Sequence, residues 1–279
     1  MIAAIVVPLA FAAAVILFAP QLLSHGDWRI AHPRAALRAW LAVFVSGGVG
    51  LLISLGAALA ETLFSLSGTA NGWLGPVAVT LFGWVGLASV GGLAALAVSR
   101  FEPISAAERR TNVHIVLAAA AATYRRERLR GVDVSFVESS WPTAMATRAT
   151  GRQILVSRGL EELLAPSELR SVLEHERAHL TDGHDRVVRL ARLNLACFPA
   201  LLGARSFERG VTLLVELAAD DLAARRCGVT ACADALDAMA RATGSESVAL
   251  RATRLRQGGA RSAARQLTTG SSAVEVAGT

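Results

Sequence analysis

Lysine is absent from this chain, and arginine supplies all 28 basic side chains against 22 acidic ones. A Walker A phosphate loop and a serine acylation centre of the Ser-x-x-Lys type both require a lysine, so both chemistries are excluded. Cysteine is scarce. Cys197, Cys227 and Cys232 are odd in number, and the last two have no second pair to complete a thiolate metal site. Aromatic residues are few, and none falls in the basic stretch Arg251 to Arg265. That stretch lacks the stacking side chains of a nucleic-acid surface. The expectation is a chain without a nucleic-acid partner or a small-molecule cofactor.

Charge is missing over three long segments, Ile2 to Leu23, Trp40 to Ala60 and Leu74 to Val98. Each has about twenty residues or more, enough to cross a hydrocarbon core about 30 Å thick. Gly47, Gly48, Gly50, Gly91 and Gly92 suit close helix packing in lipid. Trp28, Trp40, Trp73 and Trp84 fall mostly near span ends, where interfacial anchors belong. The first run has no basic segment before it, which makes a cleaved signal peptide the weaker reading. Arg29, Arg34 and Arg38 follow the first run, with His25 and His32. The stretch Glu61 to Gly72 has no basic residue, and Arg100, Arg109, Arg110 and Arg125 to Arg130 follow the third run. The positive-inside rule then predicts a multi-pass cell-membrane protein with its N-terminus outside and everything after Arg100 in the cytoplasm.

The cytoplasmic part carries His175-Glu176-Arg177-Ala178-His179. On a helix, histidines four apart share a face, so both rings reach one metal ion. The glutamate between them lies where it can take a proton from water. Pro166 to Leu190 reads as that helix, with Pro166-Ser167-Glu168 as its start signal. Val211 to Arg226 reads as a second helix, with Glu216 in an apolar stretch and Asp220 one turn later. Two histidines and one glutamate form an established zinc set with one position left open. Glu216 then ligates the metal and Asp220 accepts a ring N–H from a ligating histidine. The competing reading makes Glu216, Asp220 and Asp221 a solvated acidic face. Asp185 or His184 offers a further contact, although a continuing helix puts His184 about half a turn away from His179. His114 reads as a helix-surface residue.

Upstream, Ala106 to Leu129 reads as one long helix ending in an arginine-rich turn and closed by Gly131. Val132 to Val137 alternates as a strand does, and Thr143 to Thr147 with Gln153 to Ser157 forms a hairpin across Gly151. Ile154-Leu155-Val156 is either an edge strand that pairs with an extended substrate or an ordinary core strand. Val187 to Ala204 reads as a core helix that Pro199 kinks or ends. The basic stretch from Arg251 either lies on anionic lipid or forms a solvated face, and the Ser/Thr/Gly/Ala run after it reads as disordered.

The segment Thr143 to Ala224 resembles the catalytic core of the BlaR/MecR-type membrane zinc peptidases. More distantly it is similar to the HtpX-like and CAAX-prenyl-protease gluzincins. The matching pieces are Pro142 to Ala146, Gly151 to Ser157, Glu168-Leu169, His175 to Leu180 and Glu216 to Asp220. The resemblance implies one zinc ion on His175, His179 and Glu216, with Glu176 as general base. It also implies a transcriptional repressor as substrate. Sensor members of that family carry a penicillin-binding domain whose acylation needs lysine, so the expectation here is a chain without it. The expected fold is α+β and mostly helical, with three transmembrane helices in residues 1–100 and a gluzincin-type zinc peptidase domain with a small β-sheet in residues 101–243. A basic helix and disordered tail are expected in residues 244–279. The expected activity is a membrane-anchored zinc endopeptidase acting on a cytoplasmic or juxtamembrane protein, with the bilayer as its other partner. Two other readings stand beside it: a non-catalytic signalling regulator that keeps the zinc fold, and an HtpX-like protease of membrane-protein quality control.

Overall fold

A computed structural model describes residues 2–24, 26–67, 74–149 and 151–259. His25, Trp73, residues 68–72 and the residues from 260 on, with their Ser/Thr/Gly/Ala run, lie outside the described residues. The chain divides into two compact units, Met1–Ala106 with Val188–Leu214, and Ala107–Val187 with Val215–Thr279.

In the first unit, α1 (Ile2–Ser24) packs on α3 (Pro33–Ser67), with the short α2 (Trp28–Ala31) between them in sequence. Glycine sets their approach. A β-carbon on Gly50 would sit 3.1 Å from the Pro8 carbonyl oxygen, and one on Gly47 would sit 3.3 Å from Val15. Ser54 Oγ donates to the Ile5 carbonyl at 2.9 Å across the same seam. Gly48, Gly91 and Gly92, by contrast, face open space. Pro33–Ala60 is the segment among the described residues that is long and apolar enough to cross a membrane. Trp40 packs inside the unit instead of standing exposed. It is buried, with its ring 5.3 Å from that of Phe207, and Phe44 stacks on the same Phe207 ring. Trp84 is well exposed.

The second unit is built on a four-stranded sheet of β1 (Thr123–Leu129), β2 (Val132–Val137), β3 (Ala144–Thr147) and β4 (Gln153–Ser157). The order is β1-β2-β4-β3, with β2 and β4 parallel and the outer pairs antiparallel. Val132, Val134 and Phe136 alternate onto one face and join Ile154 and Val156 there. That face packs on Leu160 of α5 (Arg158–Leu163), on Val172, Leu173 and Leu180 of α6 (Pro166–Thr181), and on Ala235 of α9 (Val229–Thr243). Ile154-Leu155-Val156 is therefore a core strand, paired on both sides and buried. The edge beside α6 belongs to β3.

Three elements differ from the sequence-based expectation. The long helix α4 (Leu74–Ala121) stops before Thr123, and the arginine-rich segment is strand β1 instead. Arg130 and Gly131 both take positive φ, 46° and 81°, which a two-residue hairpin turn of the primed type demands. The arginines are satisfied in place: the Arg125 guanidinium lies 3.8 Å over the Phe136 ring and pairs with Glu161 at 2.6 Å. Strand pairing and these contacts override the helical preference of the segment. Second, the helix expected over Pro166 to Leu190 breaks at Gly183 (φ 68°), and α7 (His184–Cys197) follows as a separate helix. Third, the helix expected in the basic stretch, α10 (residues 246–259), is packed in the core instead of forming a solvated face, with Ala252 and Leu255 on Ala223, Cys232 and Leu236. α8 (Leu202–Cys227) starts earlier than expected, after the break containing Pro199.

One buried carboxylate joins several of these elements. Glu174, 1% exposed, accepts from Arg177 Nε at 3.0 Å and Arg226 Nη1 at 2.9 Å, and Arg130 Nε lies 3.3 Å away. The β1–β2 turn, α6 and α8 thus converge on one charge, which could not be buried without such partners.

Ser157 caps α5 by accepting from Leu160 N–H at 3.1 Å, and Gly159 follows at the point where the chain crosses Ser140. A methyl group on Gly159 would overlap the Ser140 carbonyl. Gly159→Ala is therefore expected to cost about 1–3 kcal/mol of stability through forced backbone displacement, seen as a lower urea midpoint with an unchanged slope.

Candidate metal centre

Helix α6 presents His175 and His179 one turn apart, and α8 brings Glu216 against them. His175 Nε2 and His179 Nε2 are 3.1 Å apart. Glu216 Oε2 lies 3.5 Å from His175 Nε2, and Glu216 Oε1 lies 3.5 Å from His179 Nε2. One donor atom from each of the three residues falls within a 4.8 Å cluster, so the group can hold a metal ion. The spacing fits a tetrahedral ion, since bonds of about 2.0–2.1 Å put donor atoms about 3.3–3.4 Å apart. Glu216 and Asp220 therefore face the histidines, and the solvated acidic face is not what forms.

The far side of each ring is also occupied. Asp220, 1% exposed, places Oδ1 2.9 Å from His175 Nδ1, which leaves Nε2 of that ring for the cluster. His184 Nδ1 lies 3.2 Å from His179 Nδ1. A continuous helix would have turned His184 away, and the break at Gly183 is what swings it back. Its other nitrogen lies 4.0 Å from Asp182. Asp185 pairs with Arg148 at 3.6 Å. His114 is exposed on α4. Cys232 is buried in the wall of a cavity of about 200 Å³ that the cluster opens onto, together with Val172, Leu236, Met239 and Val248.

Glu176 lines the same cavity as His175 and Glu216. Its Oε2 accepts from the Ala146 N–H of β3 at 2.8 Å. Burial raises its carboxyl above the ordinary value, against the pull of His175 and of that N–H. A carboxylate whose pKa is raised holds a proton more readily, as a general base must.

The basic stretch supplied the residue that sequence reasoning missed. Arg251 on α10 donates through Nε and Nη2 to both oxygens of Asp220, at 2.7 and 2.6 Å. Its Nη1 lies 2.9 Å from Glu216 Oε2. Arg254, one turn on, pairs with both oxygens of Asp221 at 2.8 and 3.1 Å. Neither arginine is part of a solvated face. The sequence did contain the signal: Val248, Ala252 and Leu255 recur at helical spacing and mark an apolar stripe.

Residues 106–212 match the model of Peptidase family M48. The matched stretch holds His175, Glu176 and His179 and ends just short of Glu216. It supports a peptidase, and peptidases of that family are metal-dependent. None of the curated proteins matches the chain.

The charges of the metal-free site have a consequence for stability. Burial opposes a charged ring at His175, but its hydrogen bonds to Asp220 and Glu216 outweigh this and raise it to about 10. Burial, then the charge on His175, lowers His179 to about 4; burial, then His179, does the same to His184. A ring raised above its unfolded value of 6.5 loses its stabilising effect as pH climbs towards 10. Rings lowered below 6.5 lose theirs as pH drops towards 4. Chelator-treated protein should therefore have its highest urea midpoint near pH 6.5, falling on both sides; a midpoint rising steadily from pH 6.5 to 9 would contradict the assignment.

Proposed function

We propose that this chain is a membrane-anchored zinc endopeptidase in which His175, His179 and Glu216 hold the ion and Glu176 is the general base. The observation that carries the reading is the meeting of two imidazoles and one carboxylate within reach of a single ion, beside a second carboxylate held by an edge strand. A zinc ion on these donors supplies Lewis acidity, polarising a peptide carbonyl and acidifying water. Glu176 takes the proton from that water and later delivers it to the departing amine. Asp220 keeps His175 in the tautomer that presents Nε2. Strand β3, with no strand on its outer side among the described residues, offers backbone groups to an extended substrate next to Glu176.

In this reading the first hundred residues anchor the enzyme through three spans, Ile2 to Leu23, Trp40 to Ala60 and Leu74 to Val98. The N-terminus lies outside and the peptidase in the cytoplasm. Support comes from the uncharged length of each run and from the arginines that flank them. The substrate is a cytoplasmic or juxtamembrane protein. A repressor cleaved during signalling is the choice favoured by the resemblance to BlaR/MecR-type peptidases. Turnover of many membrane proteins is the competing outcome. Comparing membrane proteomes of cells carrying wild-type or Glu176→Gln protein separates the two, because quality control leaves many proteins accumulated and repressor cleavage leaves one.

Glu176→Gln keeps the shape of the side chain and removes its basicity. It is expected to lower the rate of peptide cleavage by about 10²–10⁴-fold, while elemental analysis still finds one zinc per chain. Undiminished function in that variant would hand the reading to a non-catalytic regulator. Removing metal with a chelator should abolish cleavage, and adding zinc back should restore it.

A further inference from the structure

We infer that Arg251 is a positioning residue of the metal centre, and that helix α10 is therefore part of the catalytic apparatus and no mere appendage to it. The inference rests on the metal-site reading above and adds a residue that lies beyond the H-E-x-x-H helix and the Glu216 helix.

Geometry carries it. Three of the five N–H donors of one guanidinium are committed to two carboxylates of the centre. The fork on Asp220 is the planar two-point contact that arginine makes with a carboxylate and lysine cannot reproduce. Through Asp220 it sets the ring of His175; through Nη1 it holds Glu216 Oε2 directly. The other oxygen, Oε1, is left beside His179. Arg251 thus restrains two of the three donor residues, one through an intermediary and one by contact.

Charge makes the same case. Glu176, Glu216 and Asp220 place three carboxylates around the cluster, and two of them are held by Arg251. With a divalent cation bound, three negative charges face two positive charges on the ion and one on Arg251, and the group is neutral. Without Arg251 the buried centre carries an uncompensated negative charge, and Asp220, 1% exposed, loses its strongest partner. Arg251 itself is largely buried, with 15% of its side chain exposed, so this charge is not screened by solvent as a surface pair would be. The helix that carries it is anchored independently by Ala252 and Leu255 in the core and by the Arg254 pair with Asp221.

The test uses full-length protein in detergent, with zinc titrated against a chromophoric chelator and cobalt as a spectroscopic substitute. Arg251→Met should weaken zinc binding by roughly 10–100-fold, the range seen when partners of metal ligands are lost. Its cobalt absorption bands should also change, because Glu216 is released to reorient. Arg251→Lys keeps the charge without the fork and should recover part of the affinity. Arg254→Met removes a neighbouring ion pair from the same helix, yet should leave both the affinity and the cobalt spectrum as in wild type. Should Arg251→Met fail to fold, Arg251→Lys decides, since wild-type affinity and spectrum in that variant would overturn the inference. Zinc affinity within threefold of wild type in folded Arg251→Met would overturn it as well, and so would an equal loss in Arg254→Met. Wild-type protein that takes up no zinc would bring down the metal-site reading and this inference together, which sets that failure apart from the others.

Discussion

Buried carboxylates impose the governing constraint on the second unit. Asp220 and Glu174 are each 1% exposed, and a carboxylate removed from water without partners costs several kcal/mol. Each is answered by arginine. Glu174 meets Arg177, Arg226 and Arg130, which ties two helices to the β1–β2 turn. Asp220 meets Arg251 and His175, which ties α8, α10 and α6 together. Because a guanidinium offers several donors in a rigid plane, one arginine can serve two acids at once, as Arg251 does. A chain without lysine is well supplied for this kind of construction.

These two nodes explain why the cluster of donors is held at short range. His175 and His179 come from one helix, and their spacing follows from its pitch. Glu216 comes from another helix and has to be brought in. The Asp220 contact with His175, the Arg251 contact with Glu216 and the packing of α10 on Ala223 and Cys232 bring it there. The lowered pKa of Glu216, down to about 2, has the same origin. Burial alone would raise it, and the hydrogen bond from His175 together with the charges of His175 and Arg251 prevails. The fold keeps a negative donor ready beside two rings, and that preorganisation is what a divalent ion requires.

Much of this was legible in the linear order of residues. A histidine, a glutamate and a second histidine at helical spacing identify a metal-binding face wherever the helix is placed. Glu216, surrounded by Leu214, Val215 and Leu217, stands out because an acid among apolar neighbours needs a reason. Alternation in Val132 to Val137 and the hairpin through Gly151 were equally readable. Other features were not. The segment from Thr123 to Leu129 carries a helix former's composition, and only pairing with β2 and the contacts of Arg125 with Phe136 and Glu161 make it a strand. A continuous helix would turn His184 away from His179, whereas the break at Gly183, with its positive φ, leaves the two rings in contact.

Residue order by itself determined which groups can share a helix face, because the pitch of an α-helix is local and independent of everything around it. It therefore settled the pairing of His175 with His179, the position of Glu176 between them, and the uncharged length of Trp40 to Ala60. Tertiary structure alone decided which acid meets which cation. The contacts of Arg251 with Asp220 and Glu216, of Glu174 with Arg130 and Arg226, and of Glu176 with the backbone of β3 join residues some 30 or more apart on separate elements. Such pairings arise when packed helices exclude water and each buried charge must take the partner that the fold leaves within reach. No local rule encodes that choice.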